Sequence, residues 1–178
     1  MAHIRPATPD DLDAMTELLL DGAARREARN PVLWRMHAEA RYKVRGAIGA
    51  ALATEAPAFD QRWLVAETGR GLAGVAHTIR LPVPPIYAGA FGPPGLIVED
   101  SVLAEDAEAG LASDLVAAAE DSLIAQGARI LLGSSLPGGP FENVLETRGY
   151  APLTLYLGKT GLSSGGASGV RAAGEDDI

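Results

Sequence analysis

Glu99 and Asp100 are neighbouring carboxylates at the end of an apolar run, Leu96-Ile97-Val98. A positioned carboxylate can take a proton from a reacting group, which makes this pair the first candidate for base chemistry. Adjacent residues of an extended chain point to opposite faces, so only one of the two can face a given cleft, and Glu99 is favoured. His37 and His77 are further base candidates, although a single histidine on a helix or strand more commonly packs or meets solvent. Just downstream, Ala107-Glu108-Ala109-Gly110-Leu111-Ala112 opens an alanine-rich stretch. Amides at a helix start have no intrahelical acceptor, and small residues at Gly110 and Ala112 let an anion approach the backbone. Glu105, Asp106 and Glu108 crowd the same turn. Such acids suit the helix dipole but would repel a bound anion.

The elements that must position these residues are legible from periodicity. Residues 3–7 read as a short strand. Thr8 or Pro9 then opens a helix whose first turn carries Asp10, Asp11 and Asp13 and whose buried stripe is Leu12, Met15, Leu18 and Leu19. Pro31 is expected to start a second helix, with Val32, Leu33, Met36, Ala40, Val44, Ile48 and Leu52 on its apolar face and Trp34, His37, Arg41 and Arg45 on another. Residues 63–67 and 72–79 flank Thr68-Gly69-Arg70-Gly71 and read as a hairpin. A loop rich in Pro and Gly over 82–95 precedes a strand expected to run from Leu96 to Leu103. A helix over 107–126 capped by Gly127, a short buried strand over 129–133, a brief helix over 141–148 and a last strand or hairpin over 150–159 complete the pattern. The strand-helix-strand unit over 96–133 implies a parallel pair with a right-handed crossover. The fold class expected is α/β: a mixed, mostly antiparallel central sheet with helices on both faces.

The 178 residues suit one domain with a full core. There is no cysteine, hence no thiolate metal site and no cysteine nucleophile. The formal charge of −8 argues against nucleic acid as a general partner. No apolar run is long enough to span a bilayer and the N-terminus lacks a signal-peptide stretch, so a soluble, cytoplasmic protein without a membrane partner is expected. The charge is uneven: Arg25, Arg26, Arg29, Arg35, Arg41, Lys43 and Arg45 cluster in a region with few acids.

Residues 163–169, Ser-Ser-Gly-Gly-Ala-Ser-Gly, have flexible-linker composition, and residues 170–178 then repeat the opening of the chain. Val170-Arg171-Ala172-Ala173-Gly174-Glu175-Asp176-Asp177-Ile178 lies over residues 4–12 with Arg, Ala and both Asp coincident. A tandem duplication would leave such a match. The expectation is therefore a domain over 1–162, a linker over 163–169 and, over 170–178, a disordered tail that restarts a second domain.

Several strings, in order, resemble the GCN5-related N-acetyltransferase (GNAT) family over about residues 3–160: the opening Ile4-Arg5-Pro6-Ala7-Thr8-Pro9-Asp10-Asp11, Trp63-Leu64-Val65-Ala66-Glu67 to Gly74-Val75-Ala76, Val98-Glu99-Asp100-Ser101-Val102-Leu103, and the closing Arg148-Gly149-Tyr150. The resemblance implies that acetyl-CoA lies against Val102, Leu103 and the turn of Glu108, Ala109, Gly110, Leu111, Ala112 and Ser113, with a backbone N–H near Leu103 polarising the thioester carbonyl. It implies Glu99 or Asp100 as base toward a small-molecule amine that attacks directly, and Trp34, His37 and Arg41 as part of the acceptor pocket. Two positions depart from the family's pattern. Ala107 stands where the family has Gln or Arg, and Leu145 stands where many members have a tyrosine that protonates the leaving thiolate; Ser135, Tyr150 and Tyr156 are the hydroxyls that could substitute. Two functions follow: an active N-acetyltransferase, or a catalytically degenerate domain that supports a second GNAT domain in the same chain or in a homodimer.

Overall fold

A computed structural model describes residues 2–53, 60–82 and 92–153. The described elements are β1 (His3–Pro6), a 3-10 turn (Pro9–Asp11), α1 (Leu12–Arg29), α2 (Ala40–Ala53), β2 (Asp60–Thr68), β3 (Gly71–Arg80), β4 (Pro94–Ile97), β5 (Val102–Leu103), α3 (Leu111–Ala125), β6 (Ile130–Gly133) and α4 (Glu142–Thr147). The sheet runs β1-β2-β3-β4-β6, with β5 also paired to β3. Every pairing is antiparallel except β4 with β6, which is parallel through the α3 crossover. The mixed sheet expected from the sequence is thus present.

Alternation along β2 and β3 sends side chains to two different cores. Leu64, Ala66 and Ala76 pack with Ile97 under α3, where Leu111, Leu115, Val116, Ala119 and Leu123 form the buried stripe. Trp63, Val65 and Val75 pack on the other face with Met15, Leu18 and Ile48 of α1 and α2. Glu120 of α3 accepts a hydrogen bond from Arg148 Nε (3.1 Å), tying α4 to the first core.

Three expectations are corrected. The second helix begins at Ala40; residues 31–34 and 38–39 form turns and a bend, 35–37 form no regular element, and Val32 and Leu33 are exposed. Pro31 cannot extend a helix backward, and Asn30 accepts from the amides of Val32 and Leu33 in a local turn that competes with helix. The strand expected over 96–103 is broken. Ser101 N–H donates to the Val98 carbonyl (3.0 Å), closing a turn that divides it into β4 and β5. The strand over 129–133 is half-covered, with Ile130 and Gly133 exposed. The expected strand over 150–159 and the tail over 163–178 lie outside the described residues, apart from Tyr150–Leu153, which form no regular element.

The entry to α1 is fixed by an ion pair. Arg5 on β1 binds Asp11 through both guanidinium arms (2.7 and 2.8 Å), and the Asp11 carboxylate also accepts from the Thr8 amide (2.8 Å). The Arg5 guanidinium beside it draws the buried Asp11 from the ordinary 3.8 down to about 2. Read from sequence, Asp11 is a first-turn acid; in the fold it locks β1 against the start of α1.

Candidate functional site

The turn at 98–101 makes the site. β4 and β5 lie end to end along β3, but only β4 pairs with β6. Ser134 N–H still donates to the Ile97 carbonyl (2.9 Å), after which the chain leaves the sheet. Beyond that point β5 has no partner on its outer side among the described residues. A cleft of about 400 Å³ opens there, with Val102, Leu103 and Ala104 on one bank, Ser134, Ser135 and Leu136 on the other, and Phe141 below. Strands that part in this way leave backbone polar groups facing a cavity, and such groups need partners.

The cleft ends at Ala107, directly before the start of α3. Gly110 is the N-cap of α3 at φ +93°, a conformation that a side chain disfavours, and no side chain caps the helix. Leu111 N–H reaches the Glu108 carbonyl (3.2 Å), whereas the amides of Ala109, Gly110, Ala112 and Ser113 make no hydrogen bond among the described residues. These open amides suit an anion such as a diphosphate. Of the crowding acids, Asp106 is drawn to Arg70 on the hairpin (2.9 Å), and Glu105 remains at the cleft mouth.

Glu99 and Asp100 sit in the turn and not on a strand, so strand alternation does not separate them. Glu99 is exposed at the rim of the cleft. Asp100 accepts from His77 Nδ1, with both carboxylate oxygens at 3.1 Å. His77 is buried, stacked on Trp63 with centroids 3.9 Å apart, and its Nε2 faces Gln61 Oε1 at 3.0 Å. The Gln61 amide can turn either way, so this contact suits either protonation state of Nε2. The backbone N–H of His77 donates to Ser101 Oγ (3.1 Å), which compensates for the ladder bond that the turn removes. His77 therefore holds both the turn and the Asp100 carboxylate.

Of the residues expected to form an acceptor pocket, Trp34 stands 5.8 Å from the Arg26 guanidinium, beside the cleft. His37 accepts from the Glu39 amide and lies near Lys43, and Arg41 pairs with Glu17 of α1. None of the three is among the residues lining the cleft. Leu145 is buried in the α3 core and offers no proton. Tyr150 packs against the same core; burial, then the nearby Glu120 carboxylate, pushes its phenol well above the ordinary value. Ser135 is the hydroxyl that does reach the cleft, while Tyr156 lies outside the described residues. The three cleft-lining arginines of α1, Arg25, Arg26 and Arg29, carried no role in the sequence reading. Their spacing on one helix face was the signal available.

No protein-family model matches the chain, and no curated protein matches it significantly. Solved structures do. A predicted acetyltransferase of Clostridium acetobutylicum, solved with acetyl-CoA, superposes with a TM-score of 0.65 at 15% identity, covering 90% of this chain and 96% of the other. A GCN5-related N-acetyltransferase of Ralstonia eutropha JMP134 gives 0.66 at 17%, with 90% and 99% covered. A ribosomal-protein-alanine N-acetyltransferase of Brucella melitensis biovar Abortus 2308 gives 0.63 at 16%, again with 90% and 99% covered. The parted strands, the parallel crossover and these superpositions agree on one conclusion: the chain has the fold of the GCN5-related N-acetyltransferases.

Proposed function

We propose that the protein is an acetyl-CoA-dependent N-acetyltransferase acting on a primary amine. The observation that carries this reading is the cleft between β5 and the chain after β6, which leads to uncapped amides at the start of α3. The amides of Ala109, Gly110, Ala112 and Ser113 would bind the diphosphate, and Val102 and Leu103 would flank the arm that follows. Bound acetyl-CoA would supply an acetyl group already activated as a thioester. The chain has no cysteine to carry the acetyl group, which favours direct attack by the amine. Glu99, with no hydrogen bond to its carboxylate among the described residues, would take the amine proton, and His77 holds Asp100 beside it. Ser135 on the opposite bank, beside Ser134, is the hydroxyl residue proposed to return a proton. Trp34 extends the acceptor side through its contact with Arg26, and His37 and Arg41 belong to the outer surface of that side.

Isothermal titration with acetyl-CoA tests the reading. Heat that saturates at or below millimolar ligand is expected, and its absence would sink the proposal.

A second reading, a degenerate domain working beside a second copy of the same fold, has two observations in its favour. Leu145 is sealed in the core, so the family's usual acid is missing and cannot be supplied by a rotamer change. In addition, residues 170–178 copy both members of the Arg5–Asp11 pair, as Arg171 and Asp177. Damaging this domain alone, by Glu99→Gln together with Asp100→Asn, separates the readings: a fall in kcat/KM of about 10²-fold or more is expected if the chemistry lies here, and unchanged transfer if it lies elsewhere.

A further inference from the structure

The basic run in the first third of the chain takes no part in the proton transfers above, yet three of its members converge on the cleft. Arg25, Arg26 and Arg29 lie on adjoining positions of α1, at spacings that place their side chains together. Arg25 Nη2 donates to the Leu103 carbonyl (2.6 Å), Arg26 Nη2 to the Glu99 carbonyl, and Arg29 Nη2 to the Pro137 carbonyl (3.0 Å). Leu103 and Glu99 belong to one bank and Pro137 to the other, so the row crosses the cleft. Gly22, one turn earlier, sets the distance: a Cβ there would meet Val102 Cγ2 at 2.5 Å, so only glycine lets α1 come this close to β5.

Among the described residues, these contacts leave most of the donors unused. A guanidinium carries five N–H groups, and a neutral carbonyl engages one. Among the described residues, none of the three has a carboxylate within ion-pair distance. Like charges on one helix face repel, and half-burying one of them adds a desolvation cost. Burial lowers Arg26 from the ordinary guanidinium value, against the pull of Asp100 and Glu99. In a chain of net charge −8, a cationic row with no ion pair among the described residues, inside the cleft that holds the candidate chemistry, is a costly feature that a ligand would repay.

We propose that Arg25, Arg26 and Arg29 receive an anionic group, carboxylate or phosphate, carried by the acceptor amine; this rests on the transferase reading above. The cleft lining carries both signs, with Glu99 on the turn and Glu105 beyond β5 to meet the amine and the arginine row on α1 to meet the anion. A guanidinium fork fits the paired oxygens of either group. The acceptor class is therefore an amine bearing its own anion, such as an amino acid or an aminoalkyl phosphate.

The test uses the full chain, with acetyl-CoA and three amines of similar length: β-alanine, O-phosphoethanolamine and propylamine. Release of free CoA thiol gives kcat/KM for each. At least one anionic amine should exceed propylamine by about tenfold or more, the worth of one charge-assisted contact, and the leader of the two identifies carboxylate or phosphate. Arg26→Gln, and separately the exposed Arg29→Gln should Arg26→Gln fail to fold, should raise KM for that amine and shrink the ratio toward one. The acetyl-CoA Kd, read by titration, should move by less than about twofold, since one lost phosphate contact would move it further. Acetyl-CoA binding without preference for an anionic amine, or without transfer to any of the three, overturns the inference and leaves the cofactor site standing. A matching loss of acetyl-CoA affinity in the variants also overturns it, by assigning the arginines to the phosphates of acetyl-CoA. Failure of the wild-type protein to bind acetyl-CoA removes the transferase reading and the inference with it.

Discussion

The two faces of the sheet are built differently. Under α3 the contact is apolar and continuous: Leu111, Leu115, Val116, Ala119 and Leu123 all lie buried against β2, β3 and β4. Under α1 and α2 the apolar core is thinner, and α2 contributes only one fully buried residue, Ile48. Polar anchors supplement it: Arg5–Asp11 at the entry to α1, Arg41–Glu17 and Arg45–Asp13 between the helices, and His77–Asp100 at the turn. The lesson is a division of labour. The α3 face holds the paired strands, while the α1 face holds the turn that parts them and brings charge to the opening so created.

Replacing part of the apolar face should have the largest effect. Leu115→Ala, at a fully buried position, should cost about 2–5 kcal/mol by urea denaturation. A cost under about 1 kcal/mol would mean that the α3 face can collapse around the cavity, and the contrast between the faces would fail.

The polar face should respond to pH where the apolar face does not. Asp11 is held at about 2 when folded against an ordinary 3.8, so its share of stability is complete above the ordinary value and drains away as pH falls toward 2. Asp11→Asn should cost about 1–2 kcal/mol at neutral pH and flatten that part of the acid limb of a stability–pH curve. An unchanged acid limb would show that Arg5–Asp11 does not anchor α1.

Surface pairs on the same face should matter least. Arg41→Ala removes an exposed pair with Glu17 and should change stability by less than about 0.5 kcal/mol. A larger loss, or one accompanied by a changed KM for the amine, would move Arg41 from the outer surface into the acceptor pocket.

Local pattern and tertiary placement contributed different things. The hairpin, the helix that became α3, the crossover and the small residues at 107–112 were legible because each depends on periodicity or on residue type at a helix start. The break at 98–101 was not, because an apolar run looks the same whether it pairs with one neighbour throughout or changes partners midway. That break moved Glu99 and Asp100 from a strand to a turn and joined Asp100 to His77, more than twenty residues away in sequence. Asp11 likewise looked like a dipole acid until β1 brought Arg5 beside it.

The sequence by itself determined the element types, the alternation of the sheet and the small-residue entrance to α3, since these follow from side-chain period and backbone sterics. Only the tertiary structure decided which charges share a cleft. Arg25, Arg26 and Arg29 meet the carbonyls of Glu99, Leu103 and Pro137 because α1 packs across the gap between parted strands. Contacts across that distance in sequence depend on how whole elements pack, which no local pattern encodes.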